Sequence, residues 1–206
     1  MADSPWPWIR QERQALVDDL TGLSADRWTT RSSCDQWTVA QVLAHLTSLA
    51  KLTPPKFIGT FLTSGFSIDG VNAKGVATES AGGPEHTLSE LRSHVSATTS
   101  PPGPADSWLG ETLVHSEDIR QPLGIKHEYP VEALTRAIEF YRGSNLIIGG
   151  KKRVAGLTLK ATDADWAAGS GPVVEGPALA LLRATTGRSA ALDELSGPGL
   201  DLLRTR

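Results

Sequence analysis

Helical periodicity, interrupted by proline and glycine, dominates the first two-thirds of this chain. Apolar residues recur at helical spacing over residues 7–23, with charged residues between them. A second apolar stripe starts after Trp37, with Thr38 as the predicted N-cap, and Pro54-Pro55 is expected to end or kink that helix. A chain with such a pattern is constrained to pack helix against helix.

Two further helices are predicted after a glycine-rich stretch. Residues 65–83 leave two alternatives open, a short helix over 71–78 or a mobile loop, because glycine weakens a helix. Helix signals return over 87–97, where Thr87 and Glu90 predict a capping box. Another helix is expected over 106–121, ended by Pro122-Leu123-Gly124. Four helices with short connections favour an antiparallel bundle.

The last third changes character. A helix is predicted over 130–146, followed by a period-two strand over 157–161 and a second short strand at 173–174. A final helix is predicted to begin at Gly176-Pro177 and to stop at Gly187. The sequence therefore predicts a mainly α protein with a small α+β unit at its C-terminal end.

Charge and composition exclude several classes of protein. The net charge of −3 gives no electrostatic reason to expect nucleic acid, which usually requires a basic face. Residues 1–11 show no apolar signal-peptide core, and no stretch approaches 18 uncharged apolar residues, so we expect no membrane span. Cys34 is the single cysteine, which excludes an intrachain disulfide and fits a reducing compartment. We therefore expect a cytoplasmic protein.

Two segments carry residues suited to metal chemistry. Glu111 and His115 are four residues apart, so on a helix they lie one turn apart on the same face. His45, on another predicted helix, could supply a third ligand. Three protein ligands leave coordination positions open for water or substrate, as in catalytic zinc sites.

The four-residue spacing alone does not single out Glu111 and His115, because Glu90 and His94 have the same spacing. Glu90 and His94 fall off the apolar stripe of their helix, whereas Glu111 and His115 are predicted to face the bundle interior. A buried ionised glutamate is costly unless it is paired or bound to metal. One alternative stays open: the three residues could form a hydrogen-bonded polar cluster without metal.

Other candidates are weaker. His86 and His127 fall in predicted loops and are expected to be solvated. Cys34 is either a nucleophile or a small semi-buried residue. The segment 169–172 is glycine-rich but does not match a phosphate-binding loop.

Several segments together resemble the DinB-like superfamily, in its mycothiol-dependent maleylpyruvate isomerase branch. The resemblance spans nearly the whole chain, in the following order: Cys34-Asp35-Gln36-Trp37-Thr38-Val39, Val42-Leu43-Ala44-His45-Leu46, 110–124, 161–166, Thr186-Gly187-Arg188 and 192–197.

The resemblance implies a fold, a metal and a cosubstrate. It implies a DinB-like four-helix bundle (up-down) over 1–127 and, over 128–206, a small α+β domain resembling sterol carrier proteins. It further implies a divalent metal, usually zinc, on His45, Glu111 and His115, and mycothiol as a low-molecular-weight thiol cosubstrate. An arginine of the second domain contributes to activity in the isomerase, and Arg188 is the matching residue here.

The leading hypothesis is a metal- and thiol-dependent transferase or isomerase acting on a small electrophilic substrate, as a monomer or homodimer. Trp37, Asp118 and Arg120 are the predicted cofactor-binding residues, and a structural salt bridge is the alternative role for Asp118 and Arg120. The competing hypotheses are a metal-dependent hydrolase, in which the metal lowers the pKa of bound water, and a non-enzymatic ligand-binding bundle without metal.

Overall fold

The computed structural model describes residues 4–34, 37–145 and 148–206. Asp35 and Gln36 of the first motif, and the predicted helix end at Leu146, lie outside these ranges. The chain divides into two compact units, Met1–His127 and Glu128–Arg206. The prediction of a mainly α protein with a small α+β tail is confirmed.

The first unit is built from helices. In chain order they are α1 (Trp6–Leu20), α2 (Val39–Lys51), α3 (Pro54–Thr63), α4 (Ile68–Ser80), α5 (Pro84–Ser93) and α6 (Ala105–Leu123). A short 3-10 turn, Arg27–Thr29, lies between α1 and α2.

Four of these helices share one apolar core. Helices α1, α2, α5 and α6 pack against one another, and α4 packs on α2. The core is formed by buried residues of these helices, of the 3-10 turn and of the segment after α5: Leu16, Val17, Leu20, Trp28, Val39, Val42, Leu43, Leu46, Ala50, Leu88, Leu91, Val95, Ile119 and Leu123. Burial of this apolar surface fixes which face of α2 and of α6 turns inward.

The start of α2 is defined by a capping box. The side-chain hydroxyl of Thr38 accepts from the backbone N–H of Gln41, and the Gln41 side chain accepts from the backbone N–H of Thr38. The predicted N-cap at Thr38 is therefore confirmed. Because the cap satisfies backbone donors that a helix start leaves free, it fixes where the helix begins.

The glycine-rich stretch contains α4, in agreement with the helical alternative. Gly75 lies where α4 crosses α2, and a β-carbon there would come within 2.2 Å of the Ser48 side-chain oxygen. Glycine thus favours close packing of the two helices, although it lowers helix propensity. Pro54-Pro55, predicted to end α2, also begin α3, since proline is tolerated in the first turn of a helix.

The predicted capping box at Thr87 is wrong. Helix α5 begins at Pro84, with Gly83 as its N-cap, so Thr87 lies inside the helix. Its hydroxyl donates to the carbonyl oxygens of Glu79 and Gly83. With proline at the first helical position, the N-cap lies at Gly83, four residues before the Thr87 that the Thr-x-x-Glu pattern indicated.

Helix α6 runs two residues past its predicted end at Gln121. Pro122 lies in its last turn, and Gly124 follows in the left-handed conformation with φ of 66°. The backbone N–H of Ile125 donates to the carbonyl of Arg120, which closes the helix end.

The second unit combines helices with a small sheet. Its helices are α7 (Val131–Gly143), α8 (Gly150–Arg153), α9 (Ala178–Thr185) and α10 (Leu200–Arg204), and its strands are β1 (Thr158–Ala161), β2 (Ala167–Gly169) and β3 (Val173–Gly176). The order is β2-β1-β3, with β1 antiparallel to β2 and parallel to β3. Strands β1 and β3 and helix α9 were predicted. Strand β2 was missed, because Ala167-Ala168-Gly169 carries no β-branched or aromatic residue.

Candidate functional site

Helices α2 and α6 bring three polar side chains together. Glu111 and His115 lie one turn apart on α6, and His45 faces them from α2. The Glu111 Oε2 atom lies 3.2 Å from His45 Nε2 and 3.3 Å from His115 Nε2. Both imidazole rings therefore direct the same nitrogen toward a single carboxylate oxygen.

The cluster is mostly buried, with one more accessible member. Side-chain exposure is 3% for His45, 11% for His115 and 16% for Glu111. The carboxylate is the most exposed of the three. The predicted inward orientation of these residues agrees with this placement.

Asp118 orients His115 from the other side of the imidazole ring. Its Oδ2 atom lies 2.9 Å from His115 Nδ1, and its side chain is fully buried. The contact at Nδ1 orients the ring so that Nε2 points toward Glu111, and in a neutral ring with its proton on Nδ1 the lone pair of Nε2 would be available to a metal. A carboxylate behind a histidine is the usual support of a metal-binding imidazole.

Mutual hydrogen bonding shifts the pKa of two members of the cluster. Burial alone would raise the pKa of Glu111, but hydrogen bonds and charges from His115 and His45 outweigh it and hold that pKa well below its usual range. Burial alone would lower the pKa of His115, but Asp118 and Glu111 raise it to about 9. Without a metal the cluster is therefore stabilised in an ion-paired form.

The loop before α2 forms one wall of the site. The indole ring of Trp37 lies 5.0 Å from the His45 ring and 6.2 Å from the His115 ring, measured between centroids. The backbone N–H of Ser33 donates to the Asp118 carbonyl at 2.9 Å, which ties this loop to α6. Trp37, a predicted cofactor-binding residue, thus stands beside both histidines.

Cys34 lies in the same loop and was not predicted to be near the site. Its sulfur groups with donor atoms of His115 and Asp118, all within 4.8 Å of one another. The sequence pattern could not show this, because the contact depends on how the loop folds onto α6.

Arg120 occupies a different position from the cluster. Its side chain is fully buried, with Nε 2.7 Å from Asp19 Oδ2 and Nη1 3.7 Å from Glu12 Oε2. His127 Nε2 approaches the same Glu12 oxygen at 2.8 Å, so the expectation that His127 is solvated is wrong. Burial raises the pKa of Glu12, and His127 and Arg120 offset only part of this effect. The arrangement of Arg120 agrees with the alternative of a structural salt bridge between α1 and α6.

The second pair with the same spacing has other partners. Glu90 Oε2 lies 2.7 Å from Lys51 Nζ, and its side chain is 31% exposed. His94 is the C-cap of α5, and its Nδ1 lies 2.8 Å from the Glu90 carbonyl oxygen. These two side chains do not converge on one point.

Arg188 lies in the second unit. It precedes the 3-10 turn Ser189–Glu194, is half-buried, and donates from Nη1 to the Thr186 carbonyl at 3.1 Å.

The donor set of the cluster fits a divalent ion. One ligand atom each from His45, Glu111 and His115 lies within 4.8 Å of the others. Two imidazole nitrogens and one carboxylate oxygen are a donor set of catalytic zinc sites, which keep a position open. Cys34, His115 and Asp118 form a second possible group. In that group Asp118 would serve as a ligand instead of supporting His115.

The fold and the site together define a class: a helical bundle with an inward His, Glu, His cluster on two of its helices, followed by a small α+β unit. A sequence profile of one family in this class, described as the mycothiol maleylpyruvate isomerase N-terminal domain, matches residues 9–118. The chain belongs to this family of enzymes, as its resemblance predicted.

Solved structures agree with the fold. The crystal structure of a mutant of the mycothiol-dependent maleylpyruvate isomerase superposes with a TM-score of 0.62 at 15% identity, covering 94% of this chain and 91% of that one. A second crystal structure of that isomerase gives a TM-score of 0.58 at 13% identity, with the same coverage. At such identities the likeness concerns the fold.

Two further comparisons are negative. Curated proteins provide no significant match to the chain. Among the described residues, every helix is too short or too polar to cross a bilayer.

Proposed function

We propose that this protein is a metal- and mycothiol-dependent isomerase or S-transferase that acts on a small electrophilic substrate, in the manner of maleylpyruvate isomerase. Membership of the family supports the thiol and the reaction class. The convergence of both histidine Nε2 atoms on Glu111 Oε2, at 3.2 and 3.3 Å, is the observation that carries the metal part of the proposal.

His45, Glu111 and His115 are the proposed ligands, and zinc is the proposed ion. Coordination by such an ion favours the thiolate form of a bound thiol, which is the nucleophilic form. The single cysteine of the chain is no obstacle, because the reacting thiol belongs to the cosubstrate.

The residues around the cluster have positioning roles in this proposal. Asp118 holds the His115 ring with Nε2 toward Glu111, across the 2.9 Å contact to Nδ1. The Trp37 indole closes the side of the site beside both histidines and shields it from water. Arg120 supports α6 from its buried ion pair with Asp19. Arg188 stays the proposed catalytic arginine of the second unit.

The proposed reaction conserves atoms without an external oxidant. The mycothiol thiolate adds to a carbon–carbon double bond, and the displaced electron pair moves onto an adjacent carbonyl oxygen. Rotation about the new single bond follows, and in isomerisation the pair returns as the thiolate leaves. In the transferase version, protonation of the adduct gives the product.

Further predictions on domains, localisation, oligomeric state and partners accompany the proposal. The two units would be the domains 1–127 and 128–206, and the likeness of the second to sterol carrier proteins stays a prediction. The protein is expected to work in the cytoplasm as a monomer or homodimer. Nucleic acid and membranes are not expected partners.

Metal content and thiol dependence test the proposal. Protein purified without chelator should contain about one divalent ion per chain, as a single three-ligand site holds. Activity on an electrophilic double bond should require added mycothiol. Activity without thiol would favour the hydrolase hypothesis. A metal content near zero that stays near zero after zinc addition would favour the polar cluster and a non-enzymatic bundle.

A further inference from the structure

Helix α3 turns its polar face toward a cavity and leaves its apolar face exposed. Its polar and small residues recur at helical spacing and share one face: Lys56, Gly59, Thr60 and Thr63. All four line a cavity between α2, α3 and α4. On the opposite face Ile58 is 52% exposed and Leu62 is 54% exposed. Packing usually turns the apolar face of a helix inward, so the reverse orientation of α3 gives this cavity a polar wall.

The cavity has room for a small molecule. Its volume is about 590 Å³, which is in the range of small-molecule pockets. Ser48 on α2, Thr60 on α3 and Thr78 on α4 all line it, so each of the three helices contributes a hydroxyl group. Such a lining suits a polar ligand better than an apolar one.

Gly59 keeps space in the cavity. A β-carbon at this position would meet no atom within 4 Å outside its own helix, so close packing does not explain the glycine. Gly75 differs, because a β-carbon there would come within 2.2 Å of the Ser48 hydroxyl oxygen. Glycine inside a helix lowers its stability relative to alanine. At Gly59 this cost leaves open a volume that a side chain would fill.

Lys56 and Lys74 supply positive charge to the cavity. Lys74 Nζ donates to the Thr63 carbonyl oxygen at 2.6 Å and to the Thr63 hydroxyl at 3.1 Å, and both acceptors are neutral. Among the residues that the structure describes, no ion pair includes Lys56 or Lys74. Both ammonium groups are therefore available to an anion.

The third lysine of the cavity already has carboxylate partners. Lys51 Nζ lies 2.9 Å from Glu79 Oε2 and 2.7 Å from Glu90 Oε2. With these two carboxylates included, the three lysines still leave a net positive charge around the cavity. Recognition of an anion therefore depends on Lys56 and Lys74 and not on Lys51.

We propose that this cavity binds a small hydroxylated molecule through its carboxylate or phosphate group. The ammonium groups of Lys56 and Lys74 bind the acidic group as point charges, and hydrogen bonds to a charged group are the stronger ones. The hydroxyls of Ser48 and Thr60 bind the polar remainder of the ligand. The site does not depend on the metal assignment, because the lining of the cavity contains none of the three proposed metal ligands.

Calorimetric titration of the full chain tests this site with glycerol 3-phosphate, glycerate and glycerol at constant ionic strength. At least one of the two anions should bind one-to-one with a Kd of roughly 1 mM or tighter, and neutral glycerol should bind far more weakly. Tighter binding of glycerol 3-phosphate would assign a phosphate ligand, and tighter binding of glycerate a carboxylate ligand. Failure of both anions to bind, or equal binding of glycerol, would overturn the proposal.

The same titration with chelator-treated protein separates this site from the metal cluster. The affinity for the anions should be unchanged, because the lysines and hydroxyls that bind them do not include a metal ligand. If binding were lost with the metal, the anion would be a ligand of that ion and the proposed cavity site would be wrong.

Charge variants distinguish the site from general electrostatic attraction. Lys56→Gln should weaken anion binding on the order of tenfold, and Lys56→Gln with Lys74→Gln on the order of a hundredfold. The matched control is Arg10→Gln with Lys126→Gln, which removes the same charge from two residues of the first unit that do not line the cavity. Equal weakening in this control would contradict a defined site.

A variant that fills the cavity tests the role of the space beside Gly59. Gly59→Leu should abolish measurable anion binding, because the new side chain occupies the volume of the ligand. Its Tm should not fall, since leucine is a better helix former than glycine. Normal binding of the anions by Gly59→Leu would show that the ligand lies elsewhere.

Discussion

Two glutamate–histidine pairs with identical spacing lie in very different surroundings. On α6, Glu111 and His115 meet His45 from a neighbouring helix, and all three side chains are at most 16% exposed. On α5, Glu90 pairs with Lys51, and its side chain is 31% exposed. The four-residue spacing therefore shows only that two side chains lie on the same face of a helix. The helix packed opposite that face decides what they can do.

The two glutamates also owe their low pKa values to different partners. Hydrogen bonds from His115 and His45 overcome the burial of Glu111, whereas a hydrogen bond from Lys51 lowers the pKa of Glu90 at the surface. A lysine ammonium has no lone pair to offer a metal, but an imidazole has one. Among the described residues, the side-chain groups able to hold a metal include the α6 pair and contain neither Glu90 nor His94.

The largest expected difference between the two pairs is in metal content. His115→Ala should reduce zinc from about one ion per chain to near zero, because two protein ligands are too few for a stable site. Most of the helical circular dichroism signal should remain. His94→Ala is the matched control and should keep its zinc. Zinc retained in His115→Ala, measured by elemental analysis, would make the ligand assignment wrong.

A smaller effect is expected from the carboxylate behind His115. Asp118→Asn keeps the size of the side chain but removes the charge that supports the imidazole, so zinc affinity should fall by about 10- to 100-fold. Competition with a chromophoric chelator measures this. If Asp118 were itself a ligand together with Cys34, then Cys34→Ser would weaken zinc binding as strongly, and we expect it not to.

The pH dependence of the Tm of metal-free protein further distinguishes His115 of the α6 pair from His94 of the α5 pair. The folded-state pKa of His115 is raised to about 9, so its contribution to stability is fully present below the unfolded-state value near 6.5 and is lost as pH rises through about 9. The Tm measured with chelator should therefore decrease as the pH rises from about 6.5 to about 9. His115→Gln should flatten that fall, and an equal flattening in His94→Gln would contradict the explanation.

The smallest effect is expected at the surface pair. The pKa of Glu90 is lowered by Lys51, so their ion pair contributes above the unfolded-state pKa and is lost as pH falls through the folded-state value. Glu90→Gln should lower the Tm slightly at low salt. The decrease should be smaller at high salt, because salt screens exposed ion pairs. Zinc binding should be unchanged. A change in zinc content would mean that α5 participates in the site.

The sequence predicted those parts of the molecule that depend on local pattern. The stripe of α2, its cap at Thr38, and the inward face of α6 follow from periodicity and capping rules. That His45 belongs with Glu111 and His115 was implied by the family resemblance, because periodicity does not say which helices pack together. The close crossing at Gly75 and the fold of the loop around Cys34 depend on contacts between elements far apart in sequence. No local rule contains that information.

The preformed geometry of the α2–α6 cluster has a consequence for the choice of metal. Its side chains already meet within hydrogen-bonding distance because core packing fixes both helices, so an ion could enter and leave without unfolding the bundle. Two imidazoles and one carboxylate bind several first-row metals, with affinities that follow the Irving–Williams series. Such a centre would exchange its metal ion with free metal ions in solution. The free concentration of each metal in the cell would then determine which metal the site contains.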